Sequence, residues 1–160
     1  MKELLNKVSV KRVQQFIKKF NPKLHIVVLD TSARTAKDAA NSLKCEVGAI
    51  VKSLLFKVDD NFLICLIAGD RRCSLNKLKK TLEKKDIKMA DAFEVKENTG
   101  FSIGGVAPVA YLKDLDVLVD KSLNRFEKVY AAAGHPHCIF EITYKELVKI
   151  TSGIEKEISE

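Results

Sequence analysis

The stretch NTGFSIGGVAPVA, residues 98–110, holds three of the seven glycines in the chain and one of its three prolines. Gly100, Gly104 and Gly105 free the backbone, and Pro108 then fixes it. Two adjacent glycines before a proline allow a loop whose N–H and C=O groups point outward, with no Cβ in the way of a ligand. The same residues also suit a tight turn that leads through a bulge into a strand. Neither common phosphate motif fits. GxxxxGK[ST] needs a lysine after the glycines, and GxGxxG opens a helix, whereas a strand is expected here. The pattern argues against NTP and NAD binding.

Lys52 is the second candidate. In AIVKSLLF the two-residue period of a strand puts Ile50, Lys52, Leu54 and Phe56 on one face. An ammonium among apolar neighbours costs free energy unless it finds water or a partner. Either it snorkels out at an edge, or it projects into a cavity toward an anion or a polar substrate. HPHC, 135–138, brings His135, His137 and Cys138 together, but a structural zinc needs four ligands and no second close pair exists. No metal or other cofactor is expected. HExxH is absent, and GFSIG, 100–104, has GxSxG spacing but lies between an expected helix and an expected strand, the reverse of a nucleophile elbow, so a hydrolase built on this chain would work by positioning and backbone hydrogen bonds.

The elements that must position these residues are legible from periodicity. Val10, Val13, Phe16, Ile17 and Phe20 recur at helical spacing over 9–20, with Ser9 as the N-cap. HIVVLD, 25–30, reads as a strand. Thr35 and Asp38 open a thin, alanine-rich helix. Residues 49–58 and 62–69 form a hairpin across Asp59-Asp60-Asn61. Ser74 caps a lysine-rich helix, NKLKKTLEKKDIK, and 90–98 is a short helix that delivers the chain to the glycine stretch. VAYL, DVLVD, KVYAAA and CIFEI follow as strands. Thr143 and Glu146 open the last helix, and the tail GIEKEISE reads as frayed. Strands come in groups rather than in βαβ alternation. The expected class is α+β: a mixed, largely antiparallel, β-barrel-like sheet with flanking helices, in one domain spanning 1–160.

Composition bounds the partners. The 160 residues suffice for one sizeable core, and no apolar run is long enough to span a bilayer. The start MKELLNKVSVKRV lacks the apolar stretch of a secretory signal, and four cysteines without a CxxC pair suit a reducing cytoplasm. A net charge of +7 favours polyanions, although 23 of the 28 cationic residues are lysine, an excess that genome composition alone can produce. The six lysines of 76–88 form either a phosphate-facing ridge or a solvated face.

In order along the chain, TAKDAANSL, the lysine strand IVKSLLF, an apolar strand ending in AGD, the NTGFSIGGVAP loop, a strand ending in Asp120, and YAAAG together resemble the YbaK/EbsC family. That family comprises stand-alone relatives of the editing domain of bacterial prolyl-tRNA synthetases. The resemblance covers about residues 25–150. It implies a mixed β-barrel and an aminoacyl-tRNA deacylase that hydrolyses, in trans, the ester between a wrong amino acid and the tRNA 3′ adenosine, commonly on tRNA(Pro). It further implies that Lys52 is the functional lysine, with Ser53 in place of its usual hydroxyl neighbour. GVAP, 105–108, falls at the family's GxxxP loop, whose spacing runs here from Gly104 to Pro108, and Gly134 falls in the late loop that borders the pocket.

On this footing Lys52 and Gly105 are the catalytic candidates. Ser53, Gly100, Gly104, Val106, Pro108, Asp120, Gly134 and His135 are the substrate-binding candidates. The partners implied are aminoacyl-tRNA and, for some relatives, a prolyl-tRNA synthetase. The late loop here reads AGHPHC rather than AG followed by basic or glycine residues, so His135 and His137 alter the pocket wall. The rival reading is a module of the same fold that binds tRNA or a synthetase without hydrolysis. Plain oligonucleotide binding through a barrel would call for stacking aromatics, and these make up only 7% of the chain.

Overall fold

The computed structural model describes residues 2–160. Eight strands form one mixed sheet: β1 (Ile26–Val28), β2 (Ile50–Val58), β3 (Asn61–Ala68), β4 (Ile87–Met89), β5 (Asp116–Asp120), β6 (Lys128–Ala132), β7 (Cys138–Thr143) and β8 (Ile154–Lys156). Their order is β1-β7-β6-β2-β3-β5-β8, with β4 also on β2. The sheet is open rather than closed into a barrel, which corrects the barrel expectation. Its pairings are mixed: β2–β6, β3–β5 and β5–β8 are parallel and the other four antiparallel. Five α-helices flank it: α1 (Val8–Phe20), α2 (Ala36–Leu43), α3 (Leu75–Leu82), α4 (Ala92–Thr99) and α5 (Tyr144–Thr151).

Both sheet faces are covered, which is why β3 reads as a continuous apolar run. On one face α1 seats Val10, Val13 and Ile17 against Val51, Leu55, Ile64, Leu66 and Phe140. On the other, Leu78 of α3 packs with Phe56, Cys65, Ile67, Leu118 and Ile158. Local chemistry sets most boundaries as expected. The side chains of Thr35, Ser74, Asp91 and Thr143 accept from the backbone N–H three residues on, the last two in complete capping boxes.

Four expectations are corrected. Helix α1 starts at Val8, with Lys7 as N-cap, because the Ser9 hydroxyl donates instead to the Gly134 carbonyl at 3.0 Å. The lysine-rich helix is shorter than read: Glu83 turns left-handed at φ 55° and residues 87–89 pair with β2. VAYL is not a strand. Ala110 sits at φ 66°, and Arg12 donates to its carbonyl at 2.8 Å and to that of Thr99 at 3.1 Å, which holds the segment as a loop. The tail is ordered: β8 pairs with β5, Cys73 bridges Ser159, and Ile158 is fully buried.

Candidate active site

Strand β2 carries the site because its outer edge is only partly covered. β6 pairs with Ile50 and Val51, and β4 with Phe56, Lys57 and Val58. Gly69 N–H donates to Ile50 O on the β3 side, whereas Ala90 N–H donates to Leu55 O on the other. Main-chain groups of an antiparallel strand alternate in direction, so those of Ser53 point to the outer edge, between β6 and β4, where no strand pairs with them. The Ser53 hydroxyl is buried there and has no hydrogen-bond partner.

That gap opens into a cavity of about 390 Å³. Its wall includes Lys52, Ser53, Ile103, Gly104 and Val106, with residues 33–36 at the start of α2 on one side. The glycine loop therefore meets the lysine strand across one cavity. Most of the lining is apolar, from Val51, Leu54, Leu55, Val95 and their neighbours. Lys52 and Arg34 are the ionisable side chains on the wall, and no carboxylate or imidazole is among the lining groups.

Lys52 is half-buried, and its Nζ donates to the Arg71 carbonyl in the turn after β3. Burial lowers its pKa and the nearby Asp70 carboxylate offsets part of that shift. Asp70 is fixed in turn by a two-pronged bond from Arg125, at 2.9 and 2.7 Å, which holds its carboxyl below the usual range. The "AGD" of the sequence thus anchors the turn that receives the lysine. The Arg125 partner, 55 residues away, carries no local signal.

Gly104 and Gly105 serve different ends. Gly104 has φ 94°, and a Cβ there would stand 3.0 Å from Cγ of Arg34. Gly105 lies against the late loop: a Cβ would meet the N and Cα of His135 at 2.9 Å, and its carbonyl accepts from Gly134 N–H at 3.0 Å. Gly134, at φ 91°, is pressed against the main chain of Ser9. The late loop thus braces the glycine loop. The His135 Nδ1 accepts from His137 N–H at 3.1 Å, and the His137 Nδ1 contacts the Leu29 carbonyl at 3.0 Å, so both rings serve to hold that loop.

Other sequence candidates lie elsewhere. Gly100 is the left-handed C-cap of α4, packed against Arg12 and Leu112. Pro108 lines a separate groove with Arg12, Phe16 and Tyr111. Asp120 is buried and its oxygens accept from the Ser122 hydroxyl and N–H, the Ser159 hydroxyl and Ile158 N–H, which ties the tail to β5. Sequence reasoning missed Arg34, one of five arginines in a loop without regular periodicity.

A family model described as "Aminoacyl-tRNA editing domain" matches residues 30–150. The uncharacterized protein YwhH of Bacillus subtilis is 33% identical over 141 residues, 88% of this chain and 89% of that one. The proline–tRNA ligase of Thermosipho africanus is 39% identical over 82 residues, 51% of this chain but only 15% of the ligase. A crystal structure presented as that of a candidate trans-editing enzyme for prolyl tRNA synthetase superposes with a TM-score of 0.90 at 36% identity, covering 96% of this chain and 98% of the other. Among the described residues no helix is long and apolar enough to cross a membrane. The mixed α+β fold, the cavity between the lysine strand and the glycine loop, and these similarities agree: the chain belongs to the aminoacyl-tRNA editing-domain family.

Proposed function

We propose that this domain hydrolyses, in trans, the ester of tRNA(Pro) carrying a small non-cognate amino acid. One observation carries this reading: the uncovered strand edge at Lys52 and Ser53 meets a glycine loop across a 390 Å³, mostly apolar cavity. That space is ample for the amino-acid end of the substrate. A difference of one methylene is worth only about 1–3 kcal/mol, so rejection of the cognate proline rests on steric exclusion.

Attack of water on the ester carbonyl builds negative charge on one oxygen. Fixed N–H donors at that position lower the barrier, and losing one typically costs ~10²–10³ in rate. The Ser53 main chain and hydroxyl and the backbone N–H groups of Gly104 and Val106 are the donors within this proposal, while the Gly105 N–H is committed to the Ser102 carbonyl at 3.0 Å and Gly105 lies off the cavity wall. Lys52 adds positive charge along the same wall. The wall supplies cations and backbone donors but no carboxylate or imidazole base, so the water gives its proton to the substrate's own amino group in its neutral form, or through a tRNA hydroxyl to the leaving 3′ oxygen. His135 and Gly134 act by bracing Gly105.

The experiment is a panel of small amino acids esterified to purified tRNA(Pro), followed for loss of the ester at enzyme excess. Accelerated loss for at least one small amino acid, with prolyl-tRNA(Pro) spared, is the expected result. Salt-sensitive tRNA binding with no acceleration anywhere would make the domain a binding module instead.

A further inference from the structure

Arg34 has no task in the fold. It lies in the loop between β1 and α2, one residue before the helix cap Thr35, and is exposed. Among the described residues its side chain enters no ion pair and no hydrogen bond; Arg34 contributes only its main-chain N–H, to the Ser32 hydroxyl. Its stem runs across Gly104, with Cγ 3.0 Å and Cδ and Nε 3.6 Å from where a Cβ would stand. The lining of the cavity includes both residues. After burial and His137, the charges of Lys7 and Arg34 hold the His135 pKa down.

The two cations of the cavity wall therefore differ in kind. The Lys52 ammonium is directed to the Arg71 carbonyl, whereas the Arg34 guanidinium has no hydrogen-bond or ion-pair partner among the described residues. An arginine without a carboxylate is a two-pronged donor for phosphate. The amino acid on a charged tRNA offers it no negative charge, only an amino group whose protonated form it would repel. The formal negative charge nearest the ester is the 5′-phosphate of the nucleotide whose ribose bears the amino acid.

We propose that Arg34 binds that 5′-phosphate, and that Gly104 is free of a Cβ so that the arginine stem can lie flat and aim the guanidinium at the cavity mouth. The assignment rests on reading the cavity as the seat of an acylated tRNA end. It makes Arg34 the residue that distinguishes a terminal nucleotide from a bare aminoacyl ester, while Lys52 serves the carbonyl.

The test titrates 5′-AMP and adenosine separately into the wild-type protein, Arg34→Ala and Arg34→Lys, and reads the Ser53 and Gly104 amide resonances. The wild type is expected to bind 5′-AMP about 10-fold more tightly than adenosine, in line with one charge-assisted phosphate contact. Arg34→Ala removes that preference and leaves adenosine binding unchanged. Arg34→Lys keeps part of it, because lysine restores the charge but not the fork. With mischarged tRNA, Arg34→Ala raises KM about 10-fold at nearly constant kcat and lowers the salt slope by about one.

A wild type that does not prefer 5′-AMP, or an Arg34→Ala variant that keeps the preference, overturns the proposal whether or not the protein hydrolyses anything. Loss of the preference in a protein that deacylates no tRNA supports the phosphate contact and counts against hydrolysis alone.

Discussion

Ser53 and Asp120 sit in one sheet, two strands apart, with β3 between them, and their polar groups are both buried. They have opposite surroundings. The Asp120 oxygens take two hydroxyl and two main-chain donors, one pair from its own turn and one from the tail. Burial alone would raise its pKa, but these donors outweigh it and hold the carboxyl ionised below its usual range. The Ser53 hydroxyl is buried without a partner, in a residue that lines a cavity. Leaving a buried polar group unpaired costs about 1–3 kcal/mol, so such a group is retained where something else supplies the bond. The satisfied carboxylate is a structural tie. The Ser53 hydroxyl is left without such a tie.

The largest expected effect comes from cutting the tie. Asp120→Ala strands Ile158 N–H and two hydroxyls and releases the tail, and should destabilise the protein by about 3 kcal/mol in chemical denaturation. A change under about 0.5 kcal/mol would mean that the tail is held by Ile158 packing alone. Next is Gly105→Ala. Its Cβ would meet backbone atoms of His135 at 2.9 Å, which cannot swing aside, so a loss of about 2 kcal/mol is expected together with reduced activity.

Ser53→Ala should behave in the opposite sense to Asp120→Ala. Stability stays level or rises by up to about 1 kcal/mol, since a buried unpaired hydroxyl is removed. Deacylation, by contrast, falls about 10-fold. Equal losses of stability and activity would erase the contrast between the two sites.

The smallest effect is in the acid limb of stability. Asp120, Asp70 and Glu146 all have carboxyls held below their usual values. A depressed folded pKa gives stability that is present above the unfolded value and lost as pH falls through the folded one. Melting temperature should therefore be level near neutrality and drop below about pH 4. Asp120→Asn should flatten that drop, and Ser53→Ala should leave its shape unchanged.

Much of this was legible in the residues. The capping residues Thr35, Ser74 and Thr143 act within their own helical turn, so the chain announces them locally. The lysine strand and the glycine loop were visible as anomalies of pattern, and their common cavity follows from a gap between β6 and β4 that only the topology creates. What the sequence hid depends on distant partners. The charged tail becomes a strand because Asp120, 38 residues earlier, accepts from Ile158. VAYL stays irregular because Arg12, 98 residues earlier, takes the Ala110 carbonyl. Ser9 leaves its capping place for Gly134, 125 residues away. Asp120 itself looked like a ligand contact by its place at the end of a strand, and its partners give it structural work.

The central claim is that the wall made by Lys52, Ser53 and the glycine loop performs ester hydrolysis. The measurement that tests it most directly is the single-turnover rate of deacylation of tRNA(Pro) bearing a small non-cognate amino acid, for the wild type and for Lys52→Ala with its fold verified by thermal melting. The account predicts a wild-type rate well above spontaneous hydrolysis and a fall of about 100-fold in the variant. Equal rates in the two proteins would contradict it.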